Sequence, residues 1–217
     1  MSKKVQLTSP LLLGEGFTHG FSTRAAGEEL VGTLSRAAAR QVHGDRVLWV
    51  HGERDPTREE ADALATAEKR PVAVRTADCV PILLADRRGG RVAAVHAGWR
   101  GSRARIVERA VEALEAAGAG RGDLLAAIGP CIGRCCYEVS EELVEAFAAD
   151  FGPAVRKGRH LDLGLVNAIS LLAAGLGPTQ IHTLEICTFC DERFHSFRRE
   201  GEAAGRQFSY IYGRPLS

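Results

Sequence analysis

Apolar residues cluster most densely in the middle of the chain, and their spacing predicts a run of strands there. Residues 46–50 read as a short strand, and Pro71–Thr76, residues 80–85 and residues 91–96 follow as three more β-rich runs. The polar stretch Asp86-Arg87-Arg88-Gly89-Gly90 between the last two predicts a hairpin turn. Residues 59–69 instead carry Ala61, Leu64, Ala65 and Glu68 at helical spacing and predict a helix. Residues 99–117 give the strongest helical stripe, Val107, Ala110, Val111 and Leu114, with Gly118 placed to end it. Leu124–Ile128 predicts a buried strand. Ser140 followed by Glu141 and Glu142 predicts the capped start of a helix, and residues 162–174 predict another, closed by Gly175 and Gly177. Residues 180–186 and Gln207–Tyr212 read as closing strands. Many strands are joined by hairpins rather than separated by helices. The expectation is therefore an α+β fold: a single domain over residues 1–217, with mixed β-sheets flanked by helices.

Composition narrows the class without changing that picture. Of 217 residues, 45% are hydrophobic and 25% charged, which excludes disordered and fibrous chains. Lys and Arg number 28 against 27 Asp and Glu, so no overall basic field is available to hold a nucleic-acid backbone. Lys3 and Lys4 precede only the short apolar run at residues 11–13, too brief for a signal peptide, and no stretch is long enough to span a bilayer. The expectation is a cytoplasmic protein with no membrane or nucleic-acid partner. In that compartment thiols stay reduced, so the six cysteines read as metal ligands, nucleophiles or buried apolar groups rather than three disulfides.

Three segments then put metal-competent side chains beside glycines or at strand ends: Gln41-Val42-His43-Gly44, Thr76-Ala77-Asp78-Cys79 and Val95-His96-Ala97-Gly98-Trp99-Arg100-Gly101. Cys79 begins the strand that enters the hairpin and His96 ends the strand that leaves it, so antiparallel pairing makes them neighbours. His43 completes the set from outside. Two imidazoles and one thiolate with the fourth position open is the donor pattern of a catalytic zinc. The alternative at this point is a core histidine beside a small buried thiol.

The motifs QVHG, TADCVPILLAD, VAAVHAGWRG, IGPCIGRCCYEV, ICTFC, FHSFRRE and GRQFSYIY, in that order between Gly20 and Tyr212, resemble the YfiH-type family. Its members have been named polyphenol oxidases, laccase-domain proteins and purine nucleoside phosphorylases. The resemblance implies a zinc enzyme acting on adenosine and inosine with phosphate, with adenosine deaminase and methylthioadenosine phosphorylase activities. It also implies His43, Cys79 and His96 as metal ligands. The family is further linked to an amidase role in peptidoglycan editing, which would make Cys79 a nucleophile served by His96 or His43. One departure stands out. Members carry a longer stretch, often with an SLNLG…HVGD pattern, where only residues 25–40 separate Gly20-Phe21-Ser22-Thr23-Arg24 from Gln41.

Within that frame Cys79, His96, Asp78 and Arg75 are the candidate catalytic residues, and Arg24 and Arg100 the candidate phosphate ligands, since a planar guanidinium fork suits phosphate. Asp78 would orient a ligand or carry a proton. The bland reading of each arginine is a surface ion pair. The expected partners are a small-molecule nucleoside and phosphate; the expected cofactor is Zn2+, with Cu2+ a possible substitute. A multicopper oxidase is disfavoured, because seven His without an H-x-H pair, and no Met beyond Met1, fall short of its copper centres. Cys131, Cys135 and Cys136 with the Cys187-x-x-Cys190 pair read mainly as buried thiols near the site, with a second, irregular structural zinc as the other reading. His51-Gly52-Glu53 with Pro130-Cys131 and Cys135 is a near-miss to the zinc deaminase signature, its cysteine spacing one residue too long. The non-enzymatic alternative is a zinc-stabilised binding module, in which Gly98-Trp99-Arg100-Gly101 at a helix start captures an anion.

Overall fold

A computed structural model describes residues 5–214; Met1, Lys3 and Lys4 lie outside them. The chain runs β1 (Gln6–Leu7), α1 (Pro10–Gly14), β2 (His19–Ser22), α2 (Glu28–Arg36), β3 (Val47–Trp49), β4 (Ala63–Thr66), β5 (Pro71–Thr76), β6 (Val80–Asp86), β7 (Val92–Ala97), α3 (Trp99–Arg103), α4 (Ile106–Ala116) and β8 (Leu124–Ile128). It continues with α5 (Glu141–Phe151), β9 (Arg156–Lys157), β10 (His160–Leu161), α6 (Leu163–Ala173), β11 (Ile181–Thr183), α7 (Phe197–Glu200) and β12 (Gln207–Tyr212). Six strands form a sheet in the order β11-β8-β6-β7-β4-β3, parallel at both edge pairs and antiparallel within. Four more form an antiparallel sheet in the order β1-β2-β12-β5. The fold is α+β with mixed sheets, as the sequence pattern implies. No helix among the described residues is long and apolar enough to cross a membrane.

Side-chain alternation assigns each face a partner. Ile82 and Leu84 of β6 join the core formed with Val107 and Leu114 of α4, Phe147 of α5 and Val166 of α6. Leu83 and Ala85, pointing the other way, share a core with Val72 and Val74 of β5 and Ile211 of β12. Leu34 of α2 packs on the far face of the small sheet, against Ala73, Phe208 and Tyr210. The layers therefore run helix, sheet, sheet, helix. A strand covered on both faces reads as an unbroken apolar run, and all seven residues of β6 are buried.

The same burial overturns one expectation. Residues 59–69 are not a helix: β4 occupies their centre, parallel to β3 and antiparallel to β7. All four of its residues are buried, so no polar face marks it as a strand, and small residues at mixed spacing imitate a helical stripe. The helix expected over residues 99–117 is two helices. Arg105 takes a left-handed φ of 59° between α3 and α4, and Gly101 packs so tightly on the Gly44 carbonyl that a Cβ would lie 2.9 Å from it. That contact turns α3 toward the QVHG loop, while α4 follows the sheet. The strand expected over residues 180–186 is the shorter β11. The expected cap is present, Ser140 accepting from the Leu143 N–H, and Asp162 caps α6 in the same way by accepting from the Leu165 N–H.

The two sheets meet closely where β8 ends. A Cβ at Gly129 would sit 2.2 Å from the Phe21 ring and 3.0 Å from Pro81. Gly129→Ala is expected to lower stability by about 1–3 kcal/mol through overpacking, read from the urea midpoint at unchanged m-value.

Candidate metal centre

The site grows from strand register. In the β6–β7 ladder Val80 pairs with Ala97 and Pro81 with His96, so Cys79, one residue ahead of β6, lies beside the end of β7. In the β4–β7 ladder Ala63 pairs with Val95, which brings Asp62 alongside His96. His43 arrives from the loop before β3, with a left-handed φ of 60° that is unusual for a residue with a side chain. Together these elements bring one donor atom each of His43, Cys79 and His96 within 4.8 Å of one another. The two imidazoles meet edge to face, centroids 4.9 Å apart at 82°. The expected hairpin geometry is the observed one.

Asp62 holds this arrangement from beneath. It is fully buried, and its carboxylate accepts from the backbone N–H groups of Val42 (3.1 Å), His43 (2.9 Å) and Gly44 (2.8 Å). The same carboxylate lies 2.8 Å from His96 Nδ1, which fixes that nitrogen as the protonated one and leaves Nε2 as the donor. Burial alone would push the Asp62 carboxyl up. The His96 hydrogen bond and the Gly44 and Val42 N–H groups outweigh it, and the group stays ionised below the usual carboxylate range. Sequence reasoning passed over Asp62, because it sits in the segment that resembles a helix.

Cys79 and His96 polarise each other. Burial would raise the thiol, but the His96 charge and hydrogen bonds from His43 and His96 outweigh it and hold Cys79 at about 6. Burial would likewise lower His96; the Cys79 thiolate and the Asp62 hydrogen bond push it up to about 9 instead. A thiolate thus faces an imidazolium, with the His43 ring alongside. Gly98 keeps the space among them open, since a Cβ there would lie 3.0 Å from His43 Cδ2 and 3.2 Å from Cys79 Sγ. A borderline-soft divalent cation fits this donor set.

The trio opens into a cavity of about 620 Å³ whose wall includes Arg75, Arg100, Tyr137, Arg198 and Arg206. None of these four arginines makes an ion pair among the described residues, whereas Arg24, Arg46, Arg54, Arg91 and Arg121, for example, each do. Arg75 donates to the Ala39 carbonyl, Arg198 to that of Glu138, and Arg100 lies over the Trp99 ring. Arg24 is the one expected phosphate ligand absent from the wall. Its guanidinium bonds Glu200 and the Phe194 carbonyl, the ion pair that the bland reading describes. Arg198 and Arg206 were missed, although both stand inside quoted motifs; their charge pattern looks like any solvated arginine. Asp78 lines the cavity, but both its oxygens are engaged, by the Thr188 hydroxyl (2.6 Å) and the Arg198 N–H (2.7 Å). It holds the wall together.

A family model described as "Multi-copper polyphenol oxidoreductase laccase" matches residues 22–214. A protein named "Adenosine deaminase RL5", from an unknown prokaryotic organism, is 39% identical over 192 residues, covering 80% of this chain and 73% of its own length. A "Purine nucleoside phosphorylase" of Deinococcus radiodurans is 41% identical over 180 residues, covering 81% and 69%. The crystal structure of YlmD from Geobacillus stearothermophilus superposes with a TM-score of 0.85 at 27% identity, covering 99% of this chain and 98% of that one.

Two outcomes follow from the geometry. Asp62→Asn, which removes the charge beneath His96, is expected to weaken metal binding at the trio about 10- to 100-fold, read by competition with a chromophoric chelator. In metal-stripped protein, alkylation of Cys79 followed by peptide mapping is expected to rise with pH around a midpoint near 6. A midpoint in the range of an ordinary thiol would contradict the thiolate–imidazolium pairing.

Proposed function

The chain belongs to the YfiH-type family of laccase-domain proteins, and on that premise we propose that it is a zinc enzyme that cleaves purine nucleosides with phosphate. The observation that carries this reading is the cavity wall: four guanidiniums without acidic partners stand around the open side of the Cys/His trio. Such a wall attracts a small dianion, and forked N–H donors match the oxygens of orthophosphate. The names of the relatives point to the other substrate, a purine nucleoside, with adenosine named in one of them; inosine and methylthioadenosine are the further candidates that the family resemblance implies.

His43, Cys79 and His96 would hold the zinc, which supplies Lewis acidity to the substrate when bound. Arg75, Arg100, Arg198 and Arg206 bind the phosphate and offset its charge near the anomeric carbon. Tyr137 keeps its proton, since burial and the nearby Cys79 thiolate raise it to about 12, and it offers an O–H donor to the departing base. Asp78 is a positioning residue: its two oxygens tie the Arg198 backbone and Thr188 together. The rings of Trp99 and Phe197, also on the wall, give the purine apolar surface.

The depressed Cys79 thiol beside His96 also matches a cysteine nucleophile with its base, as an amidase would use. His43 separates the two readings, because a nucleophile needs no third donor converging on its sulfur. Copper binds most nitrogen–sulfur sites more tightly than zinc and would enter this one. Laccase chemistry needs further histidine-rich copper centres, and among the described residues a single metal-competent cluster contains histidine. Hydrolytic deamination is the reading favoured by the adenosine deaminase name. It shares the metal trio and has no use for a phosphate-binding wall. A reducing cytosol suits the six free thiols.

Zinc-loaded protein given inosine or adenosine is expected to release free base and ribose 1-phosphate only when phosphate is present. Conversion of adenosine to inosine without phosphate would favour deamination, and absence of either product at full zinc occupancy would sink the proposal. Arg100→Ala, at an exposed position, is expected to raise the KM for phosphate about 10- to 100-fold by removing a charged hydrogen bond. Its melting temperature should match wild type.

A further inference from the structure

Five of the six cysteines lie outside the site above, and four of them gather at a second place. Cys135 and Cys136 lie in the loop after β8, and Cys187 and Cys190 in the loop after β11. A bridge between Cys131 and Cys187 ties the two loops together, with the Cys131 N–H bonded to the Ile186 carbonyl (3.2 Å) and the Thr188 N–H to the Cys131 carbonyl (2.9 Å). Beyond that bridge the sulfurs of Cys135, Cys136, Cys187 and Cys190 all lie within 4.8 Å of one another. Cys190 Sγ is 3.3 Å from Cys136 Sγ and 3.8 Å from Cys135 Sγ. Tetrahedral ligation with zinc–sulfur bonds of ~2.3 Å sets its corners ~3.8 Å apart. The cluster is at that spacing, while a disulfide would need ~2.05 Å.

We propose that Cys135, Cys136, Cys187 and Cys190 form a second, closed tetrathiolate zinc site that pins the two loops to each other. Two features argue for a built site. Cys187 accepts N–H groups from Gly133, Phe189 and Cys190, so the backbone of Cys187-x-x-Cys190 folds around its first sulfur as a metal-binding knuckle does. Gly133 sits where a Cβ would come 3.3 Å from Cys135 Sγ and 3.5 Å from Cys187 Sγ, so the chain passes beside the sulfurs without a side chain between them. As donors, the converging thiols meet only one another's sulfurs among the described residues, and S–H groups are weak donors; a cation gives the convergence its physical reason. The four sulfurs are also too close together to hang from the separate irons of an iron–sulfur cluster. Cys131 is excluded by position. Its thiol points toward Gly164 instead.

The site acts on the cavity through the backbone. Thr188, between the two cysteines of the knuckle, gives its hydroxyl to Asp78, and the N–H of Ile132 donates to the Asp78 carbonyl at 2.9 Å. Fixing the loops fixes that wall.

The test uses full-length protein purified under reducing conditions. Elemental analysis is expected to give two zinc ions per chain in wild type and in Cys131→Ser, and one in Cys187→Ser/Cys190→Ser. Cys79→Ala should also hold one. Cobalt loading of metal-free wild type, which needs no variant to fold, is expected to show the strong charge-transfer absorption of four thiolates on one ion. Retention of that band by Cys79→Ala would assign it to the second site. A single zinc in wild type that Cys187→Ser/Cys190→Ser leaves in place, or a cobalt spectrum of one thiolate only, would overturn the proposal. So would a Cys136–Cys190 disulfide in the reduced protein.

Discussion

One buried carboxylate sets the geometry of the reactive end of this molecule. Asp62 carries its charge in the interior because four groups address it: three successive N–H groups of the loop that presents His43, and the imidazole of His96. An ionised carboxylate is costly to bury without such partners, so loop and strand are bound to each other by the need to satisfy it. The positive φ of His43 becomes tolerable for the same reason, since those N–H bonds hold the backbone where it would not rest unaided. The ladder between β4 and β7 makes the meeting possible, and any slip of one residue would carry Asp62 to the opposite face.

Much of this was legible in the sequence, and what was not has a physical reason. Cys79 and His96 flank a polar turn between two apolar runs, so hairpin geometry predicts their proximity without any knowledge of the rest. His43 was legible from its glycine-flanked motif and from the family resemblance. Asp62 was hidden because β4 is buried on both faces and lacks the alternation that announces a strand. The arginines were only half legible. A guanidinium beside a motif looks the same whether it faces a cavity, as Arg100 does, or a glutamate, as Arg24 does, and the difference lies in a partner some 176 positions away. The break at Arg105 was hidden too, because α3 turns for a contact with Gly44 that no local propensity encodes.

The cavity wall assembles from distant parts of the chain. Arg75 comes from β5 in the small sheet, Arg100 from α3 just past the end of β7 in the large one, and Arg198 from α7, near the knuckle loop. Asp78 stands where these pieces meet. Its φ of 87° turns the chain between β5 and β6, and its side chain gathers Thr188 and Arg198. The geometry of the cavity therefore depends on how the two sheets and the loops after β8 and β11 sit together as much as on the Cys/His trio itself.

The order of the small sheet has a temporal meaning. β12, the last strand described, lies between β2 and β5, so the β1–β2 pair joins its sheet only across a segment made after every other described strand. A chain emerging from the ribosome can close the β6–β7 hairpin early, because its contacts are local. It can bring the donor trio together while the small sheet still has a gap at its centre. Until β12 arrives, β2 and β5 each present an unpaired edge, the kind of surface that recruits the wrong partner.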